Sequence, residues 1–272
     1  MSKVFVFDIS RCTGCYNCQL ACKDEQCGND WAPYAASQPD IGQFWMKVNE
    51  IIQGTVPKVK MHYLPHMCNH CEKAPCIDVC PTGAAYRRED GLVIFDTEKC
   101  NGCKKCMEAC PYEDAIYFNE ESNLCQKCTG CAHLLDNGAE LPRCVEACPT
   151  EALKFGDEEN LIKLVRGAEV MKPEAGTAPR VYYRNIPGKF VGGTVYDPVE
   201  EEVIIGAKVR LNNGGKLYEV LTDSYGDFWF KDLAVGYYDL VIDAEGYEIK
   251  VFTDIDVAES VNLGDIALDA KK

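Results

Sequence analysis

Sixteen of the 18 cysteines in this chain fall into four tight groups, and these groups constrain the fold more than any apolar pattern does. They are Cys12, Cys15, Cys18 and Cys22; Cys68, Cys71, Cys76 and Cys80; Cys100, Cys103, Cys106 and Cys110; and Cys128, Cys131, Cys144 and Cys148. Three of the four groups end in Cys-Pro. Disulfides would need an oxidising compartment, and both the close C-x-x-C spacing and the lack of a basic, then apolar, leader oppose them. Zinc takes its thiolates as two C-x-x-C pairs per metal. Three cysteines in a row with a Cys-Pro after them do not have that form.

The third group reads C-x-x-C-x-x-C-x-x-x-C-P, the run that holds iron–sulfur cubanes in bacterial ferredoxins. Thiolate is a soft ligand suited to iron, and a cubane needs one at each of four corners. The loop supplies three corners, and its backbone N–H groups face the sulfides. The fourth cysteine reaches the neighbouring cluster, and it is expected at the start of a helix whose first turn tolerates the proline. Crossed ligation then predicts four sets. Cys68, Cys71 and Cys76 join Cys110, and Cys100, Cys103 and Cys106 join Cys80. Cys12, Cys15 and Cys18 join Cys148, and Cys128, Cys131 and Cys144 join Cys22. The second and fourth groups have longer loops but lose no ligand, and the first has Lys23 in place of proline. Tyr16, Met67, Ile77, Ala109 and Ile116 are expected to form a dry wall around the clusters. His62, His66, His70 and His133 are expected to be structural. Cys27 and Cys125 are left over. Cys125 sits three residues before Cys128 and so mimics a ligand; the plainer reading is a spare buried thiol.

A repeating unit of cysteine loop, short helix and short strand organises the first half. Strands are expected at Val4–Ile9, in a hairpin of Ala85–Arg88 and Leu92–Phe95 about an Asp-Gly turn, at Ala115–Phe118 and at Glu151–Phe155. Residues 24–65 read as an irregular insertion over the clusters. Asp157–Met171 has helical spacing, Lys172–Pro179 reads as a linker, and Arg180–Asn185 as an extended segment. Seven alternating strands follow Phe190: Val191–Tyr196, Ala207–Leu211, Leu217–Thr222, Phe228–Lys231, Tyr237–Ile242, Glu248–Phe252 and Val261–Leu268. The expected class is therefore α+β. A four-cluster domain at 1–156 contains two ferredoxin-like modules (1–65 with 119–156, and 66–118). A helix and linker occupy 157–189, and a seven-stranded all-β sandwich occupies 190–272.

The chain carries a net charge of −15, concentrated in the tail, where 17 Asp or Glu face 7 Lys or Arg from Phe190 onward. That opposes nucleic acid and anionic membrane surfaces as partners. No apolar run is long enough to span a membrane. A cytoplasmic location is expected, or export in company with a signal-bearing partner. No G-x-S-x-G, phosphate loop or H-E-x-x-H is present. Clusters with four cysteine ligands have no position left for substrate, so catalysis is expected on another chain.

With its four groups in this order, and with Gln126-Lys-Cys-Thr-Gly-Cys-Ala-His133 and Pro142-Arg-Cys144, the chain resembles the iron–sulfur subunits of the dimethyl sulfoxide reductase family of molybdenum enzymes. The linker through Arg184 and the tail look like the small subunits of pyrogallol–phloroglucinol transhydroxylases and related catechol dehydroxylases. Thr222–Phe230 and Leu233–Leu240 are similar to the transthyretin-like or carboxypeptidase-regulatory sandwich. The resemblance implies four [4Fe–4S] clusters relaying electrons to or from a large partner that holds molybdenum as bis-molybdopterin guanine dinucleotide and acts on aromatic hydroxyl compounds. Transhydroxylase small subunits are expected to lack one ligand set, whereas this chain keeps all sixteen cysteines. That favours a dehydroxylase, which exchanges electrons with the outside. A free-standing polyferredoxin is the alternative, although such a shuttle has no use for a sandwich.

Overall fold

The structure, a computed structural model, describes residues 2–271 and divides into two compact units: residues up to Glu50 with Tyr63–Ile186, and Ile51–His62 with residues 187 onward. Among the described residues no helix is long and apolar enough to cross a membrane.

The first unit is built on β1 (Lys3–Asp8), whose residues Val4 to Phe7 are all buried. The long strands β2 (Met46–Thr55) and β3 (Lys58–Met67) form a hairpin. Shorter pairs follow: β4 (Ala85–Arg87) with β5 (Val93–Phe95), and β6 (Tyr117–Asn119) with β7 (Leu124–Gln126). β8 (Leu153–Asp157) lies antiparallel to β1 with Phe5 opposite Phe155, and β9 (Val181–Arg184) lies parallel to it with Phe5 opposite Val181. This three-stranded sheet closes one wall of the unit. Its rings pack on each other, Phe5 against Phe155 at 4.6 Å and Phe7 against Tyr183 at 5.4 Å between centroids.

Short helices carry the cysteines. α1 (Asn17–Gln26) holds Cys18 and Cys22, α2 (Pro75–Asp78) holds Cys76, and α3 (Lys105–Ala109) holds Cys106. α4 (Ala132–Asp136) follows Cys131, α5 (Arg143–Glu146) holds Cys144, and α6 (Glu158–Val165) carries no cysteine. α1 packs on α5, and α2 on α3. Cys80, Cys110 and Cys148 lie at or just beyond the C-terminal ends of α2, α3 and α5, not at the start of a helix as the Cys-Pro pairs suggested. Pro81, Pro111 and Pro149 therefore act as stops, because proline cannot continue a helix. α6 is shorter than the Asp157–Met171 pattern, since Gly167 turns left-handed (φ +77°) just after it.

Residues 24–65 are more regular than expected. They contain most of the β2–β3 hairpin; Val48 and Pro65 line the Cys12 cavity and Trp45 and Met46 pack with buried cysteines, whereas the tip, Ile51–His62, groups with the second unit.

The second unit holds β10 (Lys189–Asp197), β11 (Glu202–Val203), β12 (Lys208–Asn213), β13 (Lys216–Leu221), β14 (Asp227–Leu233), β15 (Tyr237–Asp243), β16 (Lys250–Asp256) and β17 (Val261–Ala267). β10 pairs with β11 and β14 antiparallel and with β17 in parallel. The other sheet runs β13-β12-β15-β16, all antiparallel. Inward positions alternate along each strand, so Val209 and Leu211 meet Phe228, Phe230, Leu240 and Ile242 in a core that contains no cysteine.

Candidate iron–sulfur centres

Sixteen thiols come together in four sets of four. Cys68, Cys71, Cys76 and Cys110 line one cavity with Val93, Tyr112 and Ile116. Cys80, Cys100, Cys103 and Cys106 line a second with Phe95. Cys12, Cys15, Cys18 and Cys148 line a third with Phe7, Tyr16 and Leu153. Cys22, Cys128, Cys131 and Cys144 are all buried, and Cys22 and Cys144 each lie near enough to Cys128 and Cys131 to feel their charge. Each set draws three thiols from one group and the fourth from another. Among the described residues no three His, Cys, Asp or Glu side chains close on a single metal ion. The thiols of the Cys12, Cys68 and Cys80 sets stand around a cavity, which suits a cluster of several irons.

Three of the four C-x-x-C loops have glycine before their second cysteine: Gly14, Gly102 and Gly130 all take positive φ, between +63° and +71°. A Cβ on Gly14 would lie 2.3 Å from the Tyr63 ring, and one on Gly102 would lie 2.5 Å from the Asn123 carbonyl. The left-handed turn and the close approach both require glycine. The fourth loop, Cys68-Asn-His-Cys71, places His70 there at φ 44°. These turns aim backbone N–H groups inward. The Gly130 N–H donates to the Cys128 Sγ at 3.3 Å, and the Gly14 and Met46 N–H groups donate to Cys12 and Cys22.

Burial dominates the chemistry of the thiols. It pushes Cys18, Cys76 and Cys128 up to about 12 and Cys110 and Cys131 up to about 11, with neighbouring thiols adding to the rise in most of them. Cys22 and Cys144 are raised well above the usual thiol range by the same two causes. Cys80 moves the other way. Burial opposes its ionisation, but the Ala85 N–H, at 3.4 Å, and the Thr82 hydroxyl outweigh it. Around the buried set, Glu25 accepts from Arg143 Nε at 2.7 Å and pairs with His133 Nε2 at 2.9 Å, bracing α1 against α4 and α5. His133 stacks on Trp31 at 4.4 Å.

The sets form a row. Cys18 acts on Cys22, Cys128 feels Cys68, and Cys106 feels Cys76. The order is thus the Cys12 set, the Cys22 set, the Cys68 set and the Cys80 set. Only the two ends carry an exposed thiol, Cys15 and Cys103.

Other expected residues fall unevenly. Tyr16 and Ile116 line cavities, and Ile77 packs on the apolar cluster around the Cys68 set. Met67 is buried in the apolar cluster that contains Cys22, Cys68, Cys128 and Cys144; Ala109 lines none of the Cys12, Cys68 and Cys80 cavities. Cys125 lines the Cys80 cavity as a fifth thiol and shares a hydrogen bond with Cys106; that bond favours ionisation of Cys125 and holds Cys106 protonated. Cys27 is elsewhere, 3.3 Å from Asp40. No histidine lines the Cys12, Cys68 or Cys80 cavity. Sequence reasoning gave no role to Lys127, which is buried beside Cys128; a charge in a cysteine stretch reads as solvated, and nothing local marks it as enclosed.

Comparison with known proteins gives the family. Residues 59–158 match the 4Fe-4S dicluster domain, and residues 191–269 match the carboxypeptidase regulatory-like domain. The chain is 41% identical to the pyrogallol hydroxytransferase small subunit of Pelobacter acidigallici, over 97% of this chain and 98% of that one. It belongs to the iron–sulfur subunits of the dimethyl sulfoxide reductase family of molybdenum enzymes. Relatives in this family differ in the reaction named. The arsenate respiratory reductase iron–sulfur subunit of Shewanella is 36% identical over 65% of this chain and 94% of its own length. A tetrathionate reductase subunit of Salmonella typhimurium is 37% identical over 68% of this chain and 73% of its own. These two alignments cover about two thirds of the chain, whereas the one with the hydroxytransferase subunit covers 97%.

Proposed function

We propose that this chain relays electrons through four [4Fe–4S] clusters to or from a large molybdenum-containing partner that acts on catechols or related polyphenols. The four complete cysteine sets standing in one row carry this reading. Cys12, Cys15, Cys18 and Cys148 would hold the first cluster, and Cys22, Cys128, Cys131 and Cys144 the second. Cys68, Cys71, Cys76 and Cys110 would hold the third, and Cys80, Cys100, Cys103 and Cys106 the fourth. The bound clusters supply one-electron redox chemistry. The chain's own residues keep the two inner sets dry, aim N–H groups at the sulfurs, and leave Cys15 and Cys103 near solvent, where electrons enter and leave. With four cysteine ligands per cluster, no substrate position remains here. Molybdenum, as bis-molybdopterin guanine dinucleotide, and the substrate pocket belong to the partner.

The similarity to a pyrogallol hydroxytransferase subunit along the whole chain supports the aromatic substrate class. A transhydroxylation balances its electrons internally. Four full sets ending in exposed thiols suit a complex that takes electrons from outside, which favours reductive dehydroxylation.

Anaerobic native purification tests this. About sixteen irons per chain, molybdenum on a co-purifying large subunit, and oxidation of a reduced viologen on adding a catechol are the expected results. About twelve irons with no viologen oxidation would point back to transhydroxylation. Iron with neither molybdenum nor partner would favour a free polyferredoxin.

A further inference from the structure

Lys127 is one of the largest side chains wholly shielded from water, at 2% exposure. A buried ammonium is costly unless it is paired and hydrogen-bonded. Among the described residues no carboxylate lies within ion-pair distance of it. Its Nζ donates to the carbonyls of Val93 at 2.5 Å and Cys128 at 3.0 Å, and it lies 5.0 Å from the centre of the Phe95 ring. These three neighbours belong to three different sets. Cys128 is in the Cys22 set, Val93 lines the Cys68 cavity, and Phe95 lines the Cys80 cavity. Lys127 therefore stands at the middle of the row.

Carbonyl oxygens satisfy its donors but bring no net charge. The countercharge has to come from what the cysteines bind. A cubane held by four thiolates is anionic, and each reduction adds a further negative charge, so a fixed cation nearby favours the reduced form. We propose that Lys127 is the counter-cation of the relay: it raises the reduction potentials of the clusters at the Cys22 and Cys68 sets, and so governs the step at which an electron crosses between the α1–α5 half and the α2–α3 half. None of these three neighbours lines the Cys12 cavity, so the Cys12 cluster serves as an internal control.

This inference rests on the four-cluster reading, and the two can fail separately. In the native complex, Lys127→Gln keeps an N–H donor and removes the charge, whereas Lys127→Arg keeps the charge. Iron per chain and a redox titration followed by electron paramagnetic resonance are the readouts. With Gln, full iron is expected, and two couples should move to more negative potential. At a fixed potential their reduced-to-oxidised ratio should fall about tenfold, equivalent to ~59 mV for one electron. The Cys12 couple should not move, and Arg should restore the other two. Loss of iron with Gln but not with Arg would also support the charge. Unshifted couples with full iron in the Gln variant would overturn the proposal. So would equal shifts, or equal iron loss, in the Gln and Arg variants, since these would make Lys127 a structural brace. A wild-type complex lacking an inner cluster would remove the relay reading itself.

Discussion

At the scale of single residues, the cysteine loops depend on glycine where backbone and ring meet. Gly14→Ala combines a left-handed φ with a Cβ 2.3 Å from the Tyr63 ring, so it should cost more than ~1 kcal/mol and displace Cys12 and Cys15. Iron content should fall by about four atoms per chain. Gly83→Ala has the same kind of φ (+67°) but open space around it, so it should cost about 1 kcal/mol and keep all the iron. Equal iron in both variants would count against the loop geometry. Cys125 offers a second test. It lines the Cys80 cavity, yet four other thiols already surround that space. Cys125→Ser should therefore keep full iron, whereas Cys106→Ser should lose part of it, with iron content as the measure. A loss with Cys125→Ser would make Cys125 a ligand and displace one of the four.

At the scale of elements, the β2–β3 hairpin shows where sequence reading stops. Seven of the eight sandwich strands announce themselves by alternation and by turns such as Asn212-Asn-Gly-Gly215, only the two-residue β11 escaping, and the Ala85–Phe95 hairpin does so by Asp90-Gly91. The cysteine sets are legible too, because ligand chemistry fixes their spacing whatever the surroundings. β2 and β3 are hard to read because their stabilising partners are remote. Lys58 is buried, paired with Asp227 and set over the Trp229 ring at 5.6 Å, while Asn262 donates to the Thr55 carbonyl at 3.1 Å. No local pattern shows that a lysine in a polar stretch will be enclosed by strands far along the chain, and the same holds for Lys127. The Lys58 pair is testable. Lys58→Met leaves Asp227 partly buried, with the Thr194 hydroxyl still donating at 2.8 Å. Breaking a fully buried pair costs about 3–5 kcal/mol; with Asp227 about a quarter exposed, roughly 2–3 kcal/mol is expected. A lower midpoint for the sandwich transition in thermal unfolding, with iron content unchanged, is the expected outcome. A midpoint within error of wild type would show that the pair contributes nothing net.

At the scale of the whole molecule, the two units are stabilised by different means, and iron separates them. The apolar core of the second unit contains no cysteine, whereas thiols run through both apolar clusters of the first. In small metal domains the free energy of metal binding is largely the free energy of folding. Stripping iron with a chelator should therefore abolish the unfolding transition of the first unit and leave that of the sandwich. The buried thiols add a dependence on pH whose sign is fixed. Cys18, Cys76 and Cys128 are held protonated up to about 12, and Cys110 and Cys131 up to about 11. Iron takes them as thiolates, so every cluster that forms releases protons. Loading is then weakest at low pH and strengthens as pH rises. Between about pH 6.5 and 8.5, on the flank of that curve, more chelator should be needed to strip the clusters at the higher pH. Calorimetry in buffers of different ionisation enthalpy should record proton uptake on stripping. Uptake near zero would mean that the thiols stay ionised without iron, and burial would then not be what governs them.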